Sequence, residues 1–290
     1  MKKSKKNTTT FNVMLAHSAP KTIDFKNGNG YFIQPKLDGV RCYITKDGAF
    51  SRNHKQLHNC KHILTELKPL FADNPSVILD GELYNHKFKN NFNKIISLVR
   101  KQKPTQQDKF EAASYLQFHC YDLFSDYDSY SYLKFIDRTL AITNLQSKYK
   151  LRFTKTVDTK VLYSETELNK IHNENKQNGY EGSIIRANKL YEQKRSHNLW
   201  KVKDFNDTEA TIIGWVEGQG KRTGTIGKFL ARDANGIEFG MPVMDKMPVL
   251  KKMYNIAEWY IGKTATFTYF QRTPSGSYRH PLFKTVRNYE

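Results

Sequence analysis

Tyr31-Phe32-Ile33-Gln34-Pro35-Lys36-Leu37-Asp38-Gly39-Val40-Arg41-Cys42-Tyr43 is the stretch whose reading decides the fold. It enters as an apolar run rich in aromatic and β-branched residues, turns at Asp38-Gly39 and resumes from Val40 to Ile44, which predicts two strands around a tight turn. Lys36 then falls at the end of a strand. A lone lysine at such a place is ordinarily a solvated loop residue. In the spacing K-x-D-G-x-R, Asp38 and Arg41 bring a carboxylate and a guanidinium toward the amine, surroundings expected of a lysine nucleophile.

Working outward, Thr45-Lys46-Asp47-Gly48 reads as a hairpin turn returning the chain through Ala49 to Arg52, so Arg52 is placed on a neighbouring strand near Lys36. Ile63, Leu64, Leu67 and Leu70 have helical spacing, predicting a helix from about His58 to Phe71 that ends at Asn74-Pro75. Val77-Ile78-Leu79 is a short buried strand running into Asp80-Gly81-Glu82-Leu83. Phe92, Ile95, Ile96 and Val99 mark another helix, and residues 101–107 a polar connection. Tyr115 to Phe124 alternates as a strand carrying Tyr121-Asp122-Leu123, and Leu133, Ile136 and Leu140 stripe a following helix that also bears Arg138.

Ser164 with Glu167 is a capping-box signature for a helix through roughly Asn175, closed by Asn178-Gly179. Tyr180-Glu181-Gly182-Ser183-Ile184-Ile185-Arg186 follows; Gly182 is expected to let the backbone pass close to a ligand, and Ile184-Ile185 to continue as a strand. In Leu199-Trp200-Lys201-Val202-Lys203 the two lysines share one side of a strand, so both ammonium groups can point at one polyphosphate. A solvent-facing pair has the same spacing.

From Asn206 the character changes. Glu209 to Val216, Phe229 to Asp233, Ile237 to Met241, Ala265 to Gln271 and Phe283 to Arg287 read as strands, with a helix from Val249 to Tyr260 between the third and fourth. Five strands and one helix fit an OB-fold, a partly open barrel that commonly binds nucleic acid. The glycine-rich loop from Glu217 to Gly224 reads as mobile and basic, suited to lie against phosphates.

The 290 residues suffice for one large and one small domain. Lys and Arg total 47 against 28 Asp and Glu, a net +19, which attracts a polyanion and makes nucleic acid the first candidate. Aromatic residues at 13 % mark a chain that folds, so residues 1–10, rich in Lys, Ser and Thr, stand apart as a basic disordered arm. No run of apolar residues is long enough for a membrane span and no signal peptide is recognisable, so a soluble intracellular protein is expected. Cys42, Cys60 and Cys120 are far apart and never in a C-x-x-C pair, which argues against a disulfide framework and a structural zinc.

These motifs, in this order, resemble those of the covalent nucleotidyltransferases: ATP-dependent DNA ligases, RNA ligases and mRNA capping enzymes. The resemblance covers nearly the whole chain after the arm and is nearest to the small ATP-dependent DNA ligases of the viral or bacterial minimal type. It implies an α+β fold: an adenylation (nucleotidyltransferase) domain of antiparallel sheets with flanking helices over residues 11–205, then an OB-fold barrel over 206–290. It further implies that Lys36 and Asp38 are catalytic, with Lys36 carrying AMP, and that Gln34, Arg41, Glu82, Tyr121, Lys201 and Lys203 hold ATP. Tyr121 would stack on the purine, a flat surface suited to that, although a core tyrosine beside Phe118 and Phe124 fits the same letters. Arg41 and Arg52 would contact the nick, and Glu82 and Glu181 would bind Mg²⁺, with Mn²⁺ as a possible substitute.

The implied partners are ATP and nicked duplex DNA, the implied state a monomer, and the implied place the cytoplasm or nucleoid of a bacterium or a virus-infected cell. An ATP-dependent RNA ligase, an mRNA guanylyltransferase using GTP, and a non-catalytic nucleic-acid-binding relative share parts of the pattern. One departure stands out: the basic sixth motif that some members carry at the end of the OB domain is not recognisable in Arg279 to Arg287.

Overall fold

A computed structural model describes residues 11–26, 28, 30–125, 130, 132–273 and 275–287; the arm at 1–10 lies outside the described residues. The chain divides into two compact units between Lys203 and Asp204. The fold is mixed α+β.

In the first unit, two five-stranded sheets carry the site. One has the order β1-β10-β9-β2-β8, built from β1 (Leu15–Ser18), β2 (Tyr31–Lys36), β8 (Lys160–Leu162), β9 (Gly182–Ala187) and β10 (Arg195–Val202). The other has the order β4-β3-β5-β6-β7, from β3 (Val40–Thr45), β4 (Gly48–Ser51), β5 (Ile78–Tyr84), β6 (Gln117–Phe124) and β7 (Thr154–Thr156). Asp38-Gly39 is where the chain leaves the first sheet for the second, so Lys36 ends a strand of one and Arg41 is the second residue of a strand of the other. A side chain at residue 39 has no room, since its Cβ would sit 2.5 Å from the Leu83 carbonyl oxygen. Pairing is antiparallel except at the β1/β10 and β6/β7 edges.

Helices α1 (Lys61–Asp73), α2 (Phe92–Val99), α3 (Gln106–Tyr115) and α4 (Phe135–Lys148) belong with the second sheet, and α5 (Glu165–Gln177) packs on β2 and β9. Ile63, Leu67, Leu70 and Phe71 on α1 join Leu79, Leu83, Phe118 and Leu123 in the larger core; Ile33, Ile185, Leu168 and Ile171 form the smaller one under α5. Burial of such a side chain contributes roughly 1.5–3 kcal/mol, and that drive selects these faces. As read, Ser164 caps α5 by accepting the Glu167 amide at 3.2 Å, while the Glu167 carboxylate takes the Tyr163 amide. Helix α3 was not foreseen: residues 101–107 read as a connection and Tyr115 as the start of a strand. Its sequence has no apolar stripe, and its signal was a Thr105-x-x-Asp108 capping box, which the structure forms in full.

The second unit is one antiparallel sheet of order β13-β12-β11-β14-β15, comprising β11 (Asn206–Glu217), β12 (Ile226–Arg232), β13 (Glu238–Pro242), β14 (Thr264–Tyr269) and β15 (Leu282–Val286). Helix α6 (Met247–Asn255) and a short 3₁₀ turn, Ala257–Tyr260, stand between its third and fourth strands. Among the described residues no strand pairing joins β13 to β15 to close a barrel. Phe229, Met241, Phe267 and Leu250 fill its own core. Its glycine-rich loop differs from expectation at Arg222, whose guanidinium turns inward to donate to the carbonyls of Ile226 and Val243 at 3.1 and 2.8 Å. Arg222 is therefore an anchor of the loop and does not reach outward for phosphate.

Candidate active site

The site grows from the pairing of β2 with β9. Lys36 lies opposite Gly182, and its carbonyl accepts the Glu181 amide at 2.9 Å, so the main chain places Glu181 beside the lysine before any side chain acts. The Glu181 carboxylate, 6 % exposed, then receives Lys36 Nζ on one oxygen and Lys203 Nζ on the other. Lys203 arrives because β10 runs antiparallel to β9. Gly182 has its own reason: with φ at +146°, a Cβ there would lie 2.3 Å from the Val202 carbonyl oxygen. The close approach that this glycine allows is to the backbone of β10, where a ligand was expected. Lys201 adds a third ammonium, held below the ordinary lysine value first by burial and then by the charges of Lys36 and Arg195.

The second sheet supplies the facing groups. Glu82 on β5 has its carboxyl pushed up to about 7, chiefly by burial and further by Asp80 and Asp38, with Lys36 and Arg41 opposing. Tyr121 on β6 donates its hydroxyl to Glu82 Oε2 at 3.4 Å. The guanidinium carbons of Arg41 and Arg186 stand 5.4 and 5.3 Å from the Tyr121 ring centroid, within cation–π range. Arg41 is also a bidentate partner of the fully buried Asp80, at 3.1 and 2.6 Å, and Tyr191 donates to the same carboxylate at 2.7 Å.

Gln34 is only 2 % exposed and its amide is committed to protein: Nε2 donates to Thr159 Oγ1 at 2.9 Å, and Oε1 accepts Arg186 Nε at 2.9 Å. Arg186 goes on to Asp122 at 2.7 Å, which also holds Arg138 of α4 at 2.6 and 3.2 Å. This buried chain joins β2 and β9 of one sheet to β6 of the other and fixes the two walls of the site relative to each other. Sequence reasoning missed it. Arg138 had been placed on an apolar stripe and Arg186 noticed only as a motif letter; two arginines and an aspartate among apolar residues were the available signal.

Lys36, Glu82, Glu181, Lys201 and Lys203 are thus brought together, Asp38 lies close enough for its charge to act on Glu82, and Tyr121, Arg41 and Gln34 form the adjoining wall. Arg52 is displaced from its expected strand. Strand β4 stops at Ser51, and Arg52 sits exposed in the following turn, lining a cleft of about 380 Å³ with Lys194 and Arg195. Among the described residues no three His, Cys, Asp or Glu side chains are grouped to hold a metal ion. Two separate carboxylates, Glu82 and Glu181, fit Mg²⁺, which commonly takes one or two protein oxygens and completes its shell with phosphates and water.

A strand-end lysine clasped by a carboxylate lies between two sheets whose facing walls carry cations and an aromatic ring, the arrangement expected from the resemblance to the nucleotidyltransferases. Comparison with known proteins narrows this. The chain belongs to the family of the ATP dependent DNA ligase domain, which it matches over residues 13–203. It is 29 % identical over 220 residues to the DNA ligase of African swine fever virus, covering 71 % of this chain and 49 % of that protein. It is 24 % identical over 156 residues to the DNA ligase of Escherichia phage T7, covering 44 % and 43 %. The chain spans about half the length of these relatives. A solved structure of a Lig E DNA ligase superposes with a TM-score of 0.79 at 24 % identity, covering 96 % of this chain and 100 % of that one. The bacteriophage T7 ligase in complex with ATP superposes at 0.57 with 19 % identity, covering 95 % and 98 %. Both structures share the fold.

Proposed function

We propose that this protein is an ATP-dependent DNA ligase that seals nicks in duplex DNA through a lysyl-AMP and a DNA-adenylate. The observation that carries the reading is the clasp of Lys36 by Glu181 with Lys203 on the other oxygen, in a chain of the DNA ligase family. Residues 11–205 act as the adenylation domain. Residues 206–290 act as an OB-fold, a reading supported by five antiparallel strands with a helix between the third and fourth.

Lys36 Nζ, once deprotonated, attacks the α-phosphorus of ATP; the N–P bond forms as the bond to the bridging oxygen breaks, and pyrophosphate leaves. An ammonium has no lone pair, so the proton must go first, and the neighbouring cations Lys201 and Lys203 favour its loss. Release of Lys36 from Glu181 frees the amine for attack. Lys201 and Lys203 then face the polyphosphate, and Tyr121, flanked by two guanidinium groups, offers its ring to the purine. Asp38 orients the ribose or the attacking hydroxyl, and Gln34 and Arg41 act by holding the Tyr121 wall.

The AMP passes to the 5′-phosphate of the nick, and the 3′-hydroxyl displaces it. Arg52, exposed beside Lys194 and Arg195, contacts the nick backbone. Mg²⁺ entering with ATP would be held by Glu82 and Glu181 and would neutralise charge on the phosphoryl oxygens. The protein acts as a monomer. The test is sealing of a nicked DNA duplex against a nicked RNA duplex, each with ATP or GTP. Sealing of DNA with ATP is expected; preference for RNA or GTP would reassign the chain to an RNA ligase or a guanylyltransferase.

A further inference from the structure

Away from Lys36, helix α3 borders two clefts of about 550 and 420 Å³, the first also lined by α1, that share no residue with the proposed active site. Lys61 and Lys109 line the first, Arg152 and Lys155 the second, and Phe110 and Phe153 belong to both. Neither lining contains a carboxylate. Phe110 is 69 % exposed on a helix whose other exposed residues are polar, which leaves its ring face open to a flat partner. Phe153 is half-buried, edge-on to His62 at 4.9 Å with the Arg152 guanidinium 5.5 Å from its centre.

The floor and end of the first cleft are polar. Asn59, 2 % exposed, donates to the carbonyls of Leu98 and Asp108, and its Oδ1 is a buried acceptor without a partner among the described residues. Helix α1 starts at the same cleft with no side-chain cap and no acidic residue in its first turn, so its positive end adds to Lys61 and Lys109. Two carboxylate-free cationic clefts on either side of an exposed aromatic ridge, each in the about 300–1,000 Å³ range of small-ligand pockets, match a backbone threaded past an unstacked base.

We propose that this ridge binds a single-stranded stretch of nucleic acid, with a base stacked on Phe110 and the flanking phosphates on Lys61 and Lys109 to one side and Arg152 and Lys155 to the other. A duplex keeps its base faces inside the stack and has no use for Phe110. The ridge would therefore take an overhang, a flap or a free oligonucleotide.

The experiment is ultraviolet crosslinking of an oligothymidine carrying 5-iododeoxyuridine to the full chain, with peptide mapping, alongside fluorescence anisotropy of the same oligonucleotide. An adduct in the α3 peptide at Phe110 is expected. F110A should lose that adduct and weaken binding about tenfold, as loss of one stacked base does, with an unchanged unfolding midpoint. The double variant K61Q/K109Q should flatten the salt dependence of binding. Adducts confined to other peptides, or unaltered binding by F110A, would overturn the proposal. A blunt duplex that competes for the α3 adduct as well as the single strand does would overturn it in favour of a duplex surface. None of these readouts depends on nick sealing.

Discussion

Replacing Glu82 with Gln should stabilise the protein above neutral pH while impairing nucleotide transfer. In the folded chain the Glu82 carboxyl is raised from 4.5 to about 7, mainly because burial disfavours its ionised form. Folding with that group charged is therefore penalised. The penalty is absent below about pH 4.5, grows as pH rises towards 7, and is complete above it. The rise corresponds to roughly 3 kcal/mol at about 1.4 kcal/mol per tenfold change in proton affinity, an upper bound because the side chain is only half-buried. Gln keeps the shape, can still accept the Tyr121 hydroxyl and never ionises. Urea unfolding of both proteins at pH 5 and pH 8 reads the difference directly. E82Q should gain stability over the native chain at pH 8, approaching that bound, and much less at pH 5. A pH-independent difference, or a less stable E82Q at pH 8, would refute the reasoning.

Three further outcomes follow from the same geometry. Arg41→Ala removes the bidentate partner of the fully buried Asp80 and should cost about 3–5 kcal/mol; a loss under about 1 kcal/mol on denaturation would show that Tyr191 alone satisfies that carboxylate. Gly182→Ala puts a Cβ 2.3 Å from the Val202 carbonyl oxygen at a φ of +146° and should cost about 2 kcal/mol or more in thermal unfolding. A native midpoint would mean that β10 yields freely there. Binding to nicked DNA should weaken by orders of magnitude between about 50 and 200 mM salt, because a chain of net +19 acts largely through phosphate contacts. A flat salt response by anisotropy would remove counterion release from the account.

Much of the site was legible because the motif residues lie at strand ends and turns, where local chemistry shows in the letters. Asp38-Gly39 announced the turn beside Lys36, and the i, i+2 spacing of Lys201 and Lys203 announced their shared side. The clasp of Lys36 by Glu181 was not legible, since it depends on the register of β2 against β9, which spans 145 residues of sequence. The chain from Gln34 through Arg186 and Asp122 to Arg138 was hidden for the same reason: each member reads locally as an ordinary strand or helix residue. Parallel pairing of β1 with β10 leaves no local turn signal. Arg52 was misplaced by one residue, because alternation continues through Ser51 and nothing in the sequence marks that β4 stops there. The loop from Glu217 to Gly224 read as a phosphate-facing segment, but its Arg222 folds inward onto the carbonyls of Ile226 and Val243.

The central claim is that Lys36 is the nucleophile, and incubation with ATP radiolabelled at its α-phosphate tests it most directly. The native chain should form a covalent adenylate that peptide mapping places on Lys36. Lys36→Ala should form none, yet still seal a nick that already carries AMP on its 5′-phosphate, because the attacking group in that last step is the DNA 3′-hydroxyl. A labelled adduct on the Lys36→Ala chain, or native label mapped to another lysine, would contradict the account.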